Sequence, residues 1–186
     1  MHKVLKKFYA ITDRKQFKRG FEDQIKRMLD KGIRMFQLRE KDLAPEEIFR
    51  YAEKIERLLD GYDAIFLVND RVDIALLSGA DGVHLPENGI PVEPIKHKFP
   101  ELIVGKSCHS LECAEKAEKE GADFITFSPI FETPNKGSPK GIEKLKEVVE
   151  RVNIPVYALG GITEEKILEV LNTGAFGIAG IRLFID

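Results

Sequence analysis

Tryptophan is absent from this 186-residue chain, and cysteine occurs twice, at Cys108 and Cys113. Two thiols five residues apart make no disulfide framework, and no His/Cys spacing resembles a zinc site. Both cysteines read as small buried hydrophobes. No apolar run approaches the roughly 18 residues of a membrane helix. The opening "MHKVLKKFYAITD" lacks the long apolar core of a secretion signal and runs straight into a strand. A reduced cytoplasmic setting is expected. Charge of one sign is also missing: the net charge is -2, which gives no general attraction to nucleic acid or to an anionic membrane. Any phosphate binding must come from local placement. Finally, no G-x-G-x-x-G follows the first strand, which disfavours an open doubly wound nucleotide-binding sheet.

Strand-like and helix-like segments alternate from end to end. Segments at 8–12, 34–40, 64–70, 82–86, 102–108, 124–131, 155–161 and 176–181 read as eight strands. They are continuous rather than alternating, as in parallel strands covered on both faces. Between them lie seven helical stretches. One carries Phe17, Phe21, Ile25 and Met28 on a single stripe. Another opens at Pro45, turns Ile48, Ala52, Ile55 and Leu59 inward and stops at Gly61. Later ones start at Val72 and Ser110 and span 92–98, 141–152 and 163–172. "SGADGVHL", "EGADFITF" and "TGAFGIAG" repeat one junction, a glycine that ends a helix in the left-handed conformation before the next strand. The pattern predicts an α/β fold, a (β/α)₈ TIM barrel forming a single domain over 1–186. Its final helix is truncated to "RLFID", leaving an apolar flank that a second copy could cover as a homodimer.

In such a barrel all strand C-termini share one face, where chemistry is done. Strand 2 ends in "FQLREKD", where alternation sends Gln37, Arg39 and Lys41 the same way. Strand 3 ends in Asn69 and Asp70, strand 4 in His84, strand 5 in Ser107 and His109. The loop after strand 6 holds Thr133, Asn135 and Lys136, and strand 7 ends in Gly160 and Gly161. Arg39 can grip two phosphate oxygens, while Lys41 and Lys136 supply point charges. Asp70 is a hard oxygen ligand suited to Mg²⁺ on a diphosphate, which needs only one or two carboxylates. Gly161 and Gly180 would let backbone N–H groups approach a second phosphate. Each residue has a plainer reading: Asp70 as a helix cap, Lys136 as a solvated loop lysine, the histidines as satisfied strand ends. Their gathering on one face favours two anion sites and one metal.

"FQLREK", "LVNDRVDIAL", "GADGVHL", "GKSCHS", "GADFITFSPIFETPNK" and "YALGGI" together resemble thiamine phosphate synthase and its close relative, the thiazole tautomerase. The resemblance implies a TIM barrel that binds an aminopyrimidine methyl diphosphate and a thiazole phosphate. It implies that Arg39, Lys41 and Lys136 hold the diphosphate as it leaves, and that Asp70 ligates Mg²⁺. Gln37, Asn69 and Ser107 would fix the pyrimidine and diphosphate. Thr133 and Asn135, with Gly161, Gly180 and Ile181, would hold the thiazole phosphate. Three positions depart from the synthase pattern. Gly89 stands where a second acidic metal ligand is expected, with Glu87 as the nearest stand-in. Arg182 replaces a small hydroxyl residue, and Asn135 replaces a threonine. The tautomerase's catalytic histidine falls at Pro129, so His84 or His109 would have to move the proton in that chemistry. A binder that keeps the phosphate pockets without turnover is the third reading.

Overall fold

Apolar parallel strands buried on both faces can pair every edge by closing into a ring. The computed structural model, which describes residues 3–134 and 136–185, shows this ring. Its strands are β1 (Phe8–Ile11), β2 (Met35–Leu38), β3 (Ile65–Asn69), β4 (Gly82–Leu85), β5 (Ile103–Cys108), β6 (Phe124–Phe127), β7 (Val156–Leu159) and β8 (Gly177–Gly180). They form a closed barrel in sequence order. All neighbours are parallel, and Phe8 of β1 pairs with Ile178 of β8 to complete the ring.

The helices are α1 (Phe21–Asp30), α2 (Pro45–Leu59), α3 (Val72–Ser78), α4 (Val92–Lys98), α5 (Leu111–Lys119), α6 (Gly141–Arg151) and α7 (Ile167–Leu171). Pro45 opens α2, where the missing N–H costs nothing. Ser110 caps α5 by accepting the Cys113 N–H at 3.1 Å. The junction glycines Gly79, Gly121 and Gly174 have φ of 83°, 89° and 89°. This is the left-handed turn that the repeated motif predicts.

Two layers of apolar side chains result. Tyr9, Met35, Leu67, Phe124 and Tyr157 fill the inside of the barrel, with the Phe124 and Tyr157 rings edge to face at 5.3 Å. The larger layer, including Ile25, Phe36, Ile55, Val104 and Val148, lies between strands and helices. The chain's last turn is a short 3₁₀ segment, Arg182–Phe184, in place of an eighth helix. Phe184 is buried there against Phe8, ring centres 6.1 Å apart.

Two expected helices differ. Phe17 lies outside α1: the stripe is interrupted by extended backbone at Phe17 and Gly20, and Phe17 instead tilts its ring onto Phe21 at 5.8 Å. The segment expected as one helix over 163–172 begins as a 3₁₀ turn, Glu164–Lys166, and becomes α-helical only from Ile167.

Candidate active site

A polar chain crosses the inside of the barrel beneath its C-terminal rim. Gln37 is buried, and its Nε2 donates to the Tyr9 hydroxyl at 2.8 Å. That hydroxyl meets His84 Nδ1 at 3.1 Å, and His84 Nε2 meets Ser107 Oγ at 2.9 Å. Thr126 Oγ1 lies 3.4 Å from Ser107 Oγ. Burial, then the charges of Arg39 and Lys106, hold the His84 pKa down at about 3. A neutral imidazole has one donor and one acceptor, and one tautomer runs the chain in a single direction. Gln37 donates to Tyr9, Tyr9 donates to Nδ1, and Nε2–H donates to Ser107. In that tautomer Ser107 accepts from both His84 and Thr126. No described donor takes Gln37 Oε1.

The cations stand above this chain. β2 ends at Leu38, so Gln37 points into the barrel while Arg39 and Lys41 occupy the turn beyond it. The two acidic residues between and after them face the other way. The Arg14 N–H donates to both Glu40 carboxylate oxygens, and the Arg14 guanidinium bridges Glu40 and Asp42. The Arg39 N–H donates to Thr12 Oγ1 at 2.9 Å. The β2 turn is thus pinned to the β1 turn, with its cations on the free side. Among the described residues, none of Arg39, Lys41 and Lys136 has a carboxylate within ion-pair distance. The Lys41 ammonium is disfavoured by Arg39 first, then by burial and by Lys136, and favoured by Asp70. Charges from the ends of β2, β3 and β6 therefore share one electrostatic neighbourhood.

Asp70 adopts the left-handed conformation, φ 57°, unusual for a residue with a side chain. Its N–H donates to the His84 carbonyl at 2.9 Å, which ties the β3 end to β4. The plainer reading of Asp70 as a cap fails: Arg71 occupies the cap position of α3, without a side-chain bond. Among the described residues the Asp70 carboxylate has no hydrogen-bond partner, and no group of three or more His, Cys, Asp or Glu forms a preformed metal cage. One free carboxylate suits a Mg²⁺ ion that arrives with a diphosphate and takes its other ligands from phosphate and water.

Glu87, the nearest stand-in for a second acidic metal ligand, has a protein partner of its own. Its carboxylate accepts the His109 N–H at 3.2 Å, on the β5 side of the rim. Gly89 closes a tight turn in which its N–H donates to the Pro86 carbonyl at 2.9 Å. A Cβ there would lie 2.9 Å from the Pro86 ring, so a side chain at this position would require the turn to shift. His109 Nδ1 is held by the Ser128 carbonyl at 2.8 Å. Gly161 has φ 66°, and a Cβ would come within 2.6 Å of the Glu132 carbonyl. The end of β7 is thus pressed against the loop after β6, where Thr133 Oγ1 donates to the Phe131 carbonyl at 3.1 Å. Gly180 lies at the end of β8 with Ile181 next to it, and Asn69 at the end of β3. Asn135 lies outside the described residues.

Tyr9, Thr12, Arg14, Lys106 and Thr126 were not singled out from the sequence. Only inward parity along β1 and β6 could have flagged Tyr9 and Thr126. Lys106 is a buried lysine on the outer face of β5, and no local signal separates it from a solvated one.

The fold is a closed (β/α)₈ barrel whose C-terminal rim carries, among the described residues, cations without a carboxylate partner. Residues 8–184 match the family described as thiamine monophosphate synthase, and the chain belongs to that family. A putative thiamine-phosphate synthase 2 of Aquifex aeolicus is 53% identical over 98% of this chain and 99% of its own length. The thiamine-phosphate synthase of Pyrococcus furiosus is 41% identical over 94% of this chain and 84% of its own. The solved thiamine phosphate pyrophosphorylase of Pyrococcus furiosus superposes with a TM-score of 0.87 at 40% identity, covering 94% of this chain and 85% of that one.

Proposed function

We propose that this protein is a thiamine phosphate synthase, joining an aminopyrimidine methyl diphosphate to a thiazole phosphate with release of pyrophosphate. The observation that carries the reading is the set of cations without a carboxylate partner among the described residues, with Lys41 feeling the charges of Arg39, Lys136 and Asp70 above a buried polar chain.

The aminopyrimidine is recognised by complementarity. Gln37 Oε1 accepts from the exocyclic amine, and the Ser107 O–H donates to a ring nitrogen. Asn69 lies beside them at the rim. The diphosphate sits among Arg39, Lys41 and Lys136, whose charge is worth more as the C–O bond breaks and negative charge collects on the departing pyrophosphate. Mg²⁺, when bound at Asp70, neutralises part of that charge. The methylene carbon left behind is captured by the thiazole nitrogen, whose molecule is anchored through its phosphate. Gly161, Gly180 and Ile181 offer backbone to that phosphate; Thr133, once its hydroxyl turns from the Phe131 carbonyl, and Asn135 complete the expected set. His84 moves no proton; it keeps Ser107 and Gln37 in their donor and acceptor roles.

The tautomerase reading fares worse. It needs a group that ionises near neutrality; the buried His84 stays neutral there, which leaves His109 Nε2 as the only candidate of the two, and the named relatives are synthases. The test is direct: purified protein is given both substrates and Mg²⁺, and pyrophosphate and thiamine phosphate are measured. Formation of both products in equal amounts is expected. Tight binding of thiamine phosphate without turnover would instead make the protein a binder.

A further inference from the structure

Cys108 closes β5 and Cys113 lies in the first turn of α5, and their Sγ atoms are 2.8 Å apart. The two sulfurs have different surroundings. Cys108 is fully buried. Cys113 is half-buried and lines a cavity of about 290 Å³ outside the barrel, together with Glu87, Lys106, Lys116 and Glu120. Lys106 is the charged group most firmly built into this place. It is 6% exposed, and its Nζ has one long bond, 3.5 Å to the Ile90 carbonyl.

We propose that Cys108 and Cys113 are a peroxide-reactive dithiol that closes to a reversible disulfide, with Cys113 as the attacking thiolate and Cys108 as the resolving thiol. Four features favour this division of labour. Cys113 faces the cavity, so a small oxidant reaches it first. It sits at the N-terminal turn of a nine-residue helix, which favours a thiolate. The Cys108–Cys113 sulfur contact lowers the Cys113 pKa, and the Lys106 charge adds to this against the opposing effects of burial and Glu87. The same neighbour and burial push the Cys108 thiol up, so it remains protonated until it is needed.

The chemistry balances with a hydroperoxide as oxidant. The Cys113 thiolate attacks one peroxide oxygen: an S–O bond forms, the O–O bond breaks, and hydroxide leaves to be protonated to water. Cys108 then attacks the Cys113 sulfur: the S–S bond forms and the S–O bond breaks. The departing hydroxyl takes the Cys108 proton as a second water. Two thiols are oxidised by two electrons in all, and the hydroperoxide is reduced. A disulfide holds its sulfurs about 2.05 Å apart, so the two need approach by less than about 1 Å. This is a modification site separate from the diphosphate rim, and it stands whether or not the protein is a synthase.

Both cysteines fall in one tryptic peptide, Ser107–Lys116. Full-length protein is treated with hydrogen peroxide, blocked with iodoacetamide and digested. The expected result is this peptide lighter by two hydrogens and unalkylated, returning to the doubly alkylated form after dithiothreitol. In Cys108→Ser, Cys113 should stop at the sulfenic acid and be trapped by dimedone. In Cys113→Ser, Cys108 should remain alkylatable once the protein is unfolded. Recovery of the doubly alkylated peptide from peroxide-treated wild type would overturn the proposal, as would sulfinic acid without a crosslink, or a crosslink between two chains.

Discussion

Arg14 and Glu40 are joined twice over. The Arg14 N–H donates to the two Glu40 oxygens at 3.0 and 3.2 Å, and its Nη1 donates to Oε2 at 3.0 Å. The Glu40 side chain is 1% exposed, so its charge depends on this one partner. Arg14→Ala leaves a buried carboxylate short of its guanidinium and should cost about 1.5–3 kcal/mol of stability. Because Glu40 lies between Arg39 and Lys41, the same change should raise KM for the diphosphate substrate more than it lowers kcat. Urea unfolding and steady-state kinetics check the two halves. Unchanged kinetics would separate the clamp from the site.

Arg39 and Lys41 differ in what they can offer a diphosphate. The planar guanidinium can bond two oxygens at once, and the ammonium only as a point charge. Arg39→Ala should weaken pyrophosphate binding by about 1.5–3 kcal/mol, roughly 10- to 150-fold. Arg39→Lys should recover only part of that. Calorimetric titration of pyrophosphate with Mg²⁺ reads both, and an unaltered affinity would remove Arg39 from the site.

His84 should stay neutral from pH 8 down to pH 5. Its folded pKa, about 3, lies below the ordinary value near 6.5, so the unfolded chain takes up this proton first. The stabilisation that follows is present above pH 6.5 and is lost as the pH falls from there toward 3. Nitrogen shifts of the imidazole should be flat across pH 5–8. A titration midpoint inside that window would refute the buried relay.

Glu56 on α2 should do the opposite at the far end of the barrel. Burial, and then Asp81, lift its pKa to about 7, against the pull of Lys3. A raised carboxylate favours the fold below the unfolded pKa near 4.3, and this advantage fades as pH climbs through 7. Wild type should therefore lose thermal stability relative to Glu56→Gln between pH 5 and pH 8. Parallel melting curves across that range would expose the carboxylate as ordinary.

Much of this was legible in the sequence because a parallel barrel writes itself locally. Strands buried on both faces must be apolar throughout, and each helix must turn back through a left-handed residue, which glycine marks at Gly79, Gly121 and Gly174. The rim cations were legible too, as charged residues placed where apolar strands stop. What escaped was pairwise and long-range. Tyr9 reaches His84 across 75 residues, and Arg14 reaches Glu40 across 26; neither pairing has a periodicity to betray it. Phe17 misled because its spacing from Phe21 fits a helix, although the chain stays extended at Phe17 and Gly20.

Closure of the ring has a consequence for self-association. With β1 bonded to both β2 and β8, no strand keeps an open row of amides and carbonyls for a neighbour to zip onto. Among the described residues the barrel strands offer no edge, so two copies would meet through helix faces or loops. Such contacts can be rewritten by surface mutation while the hydrogen-bonded cylinder stays intact.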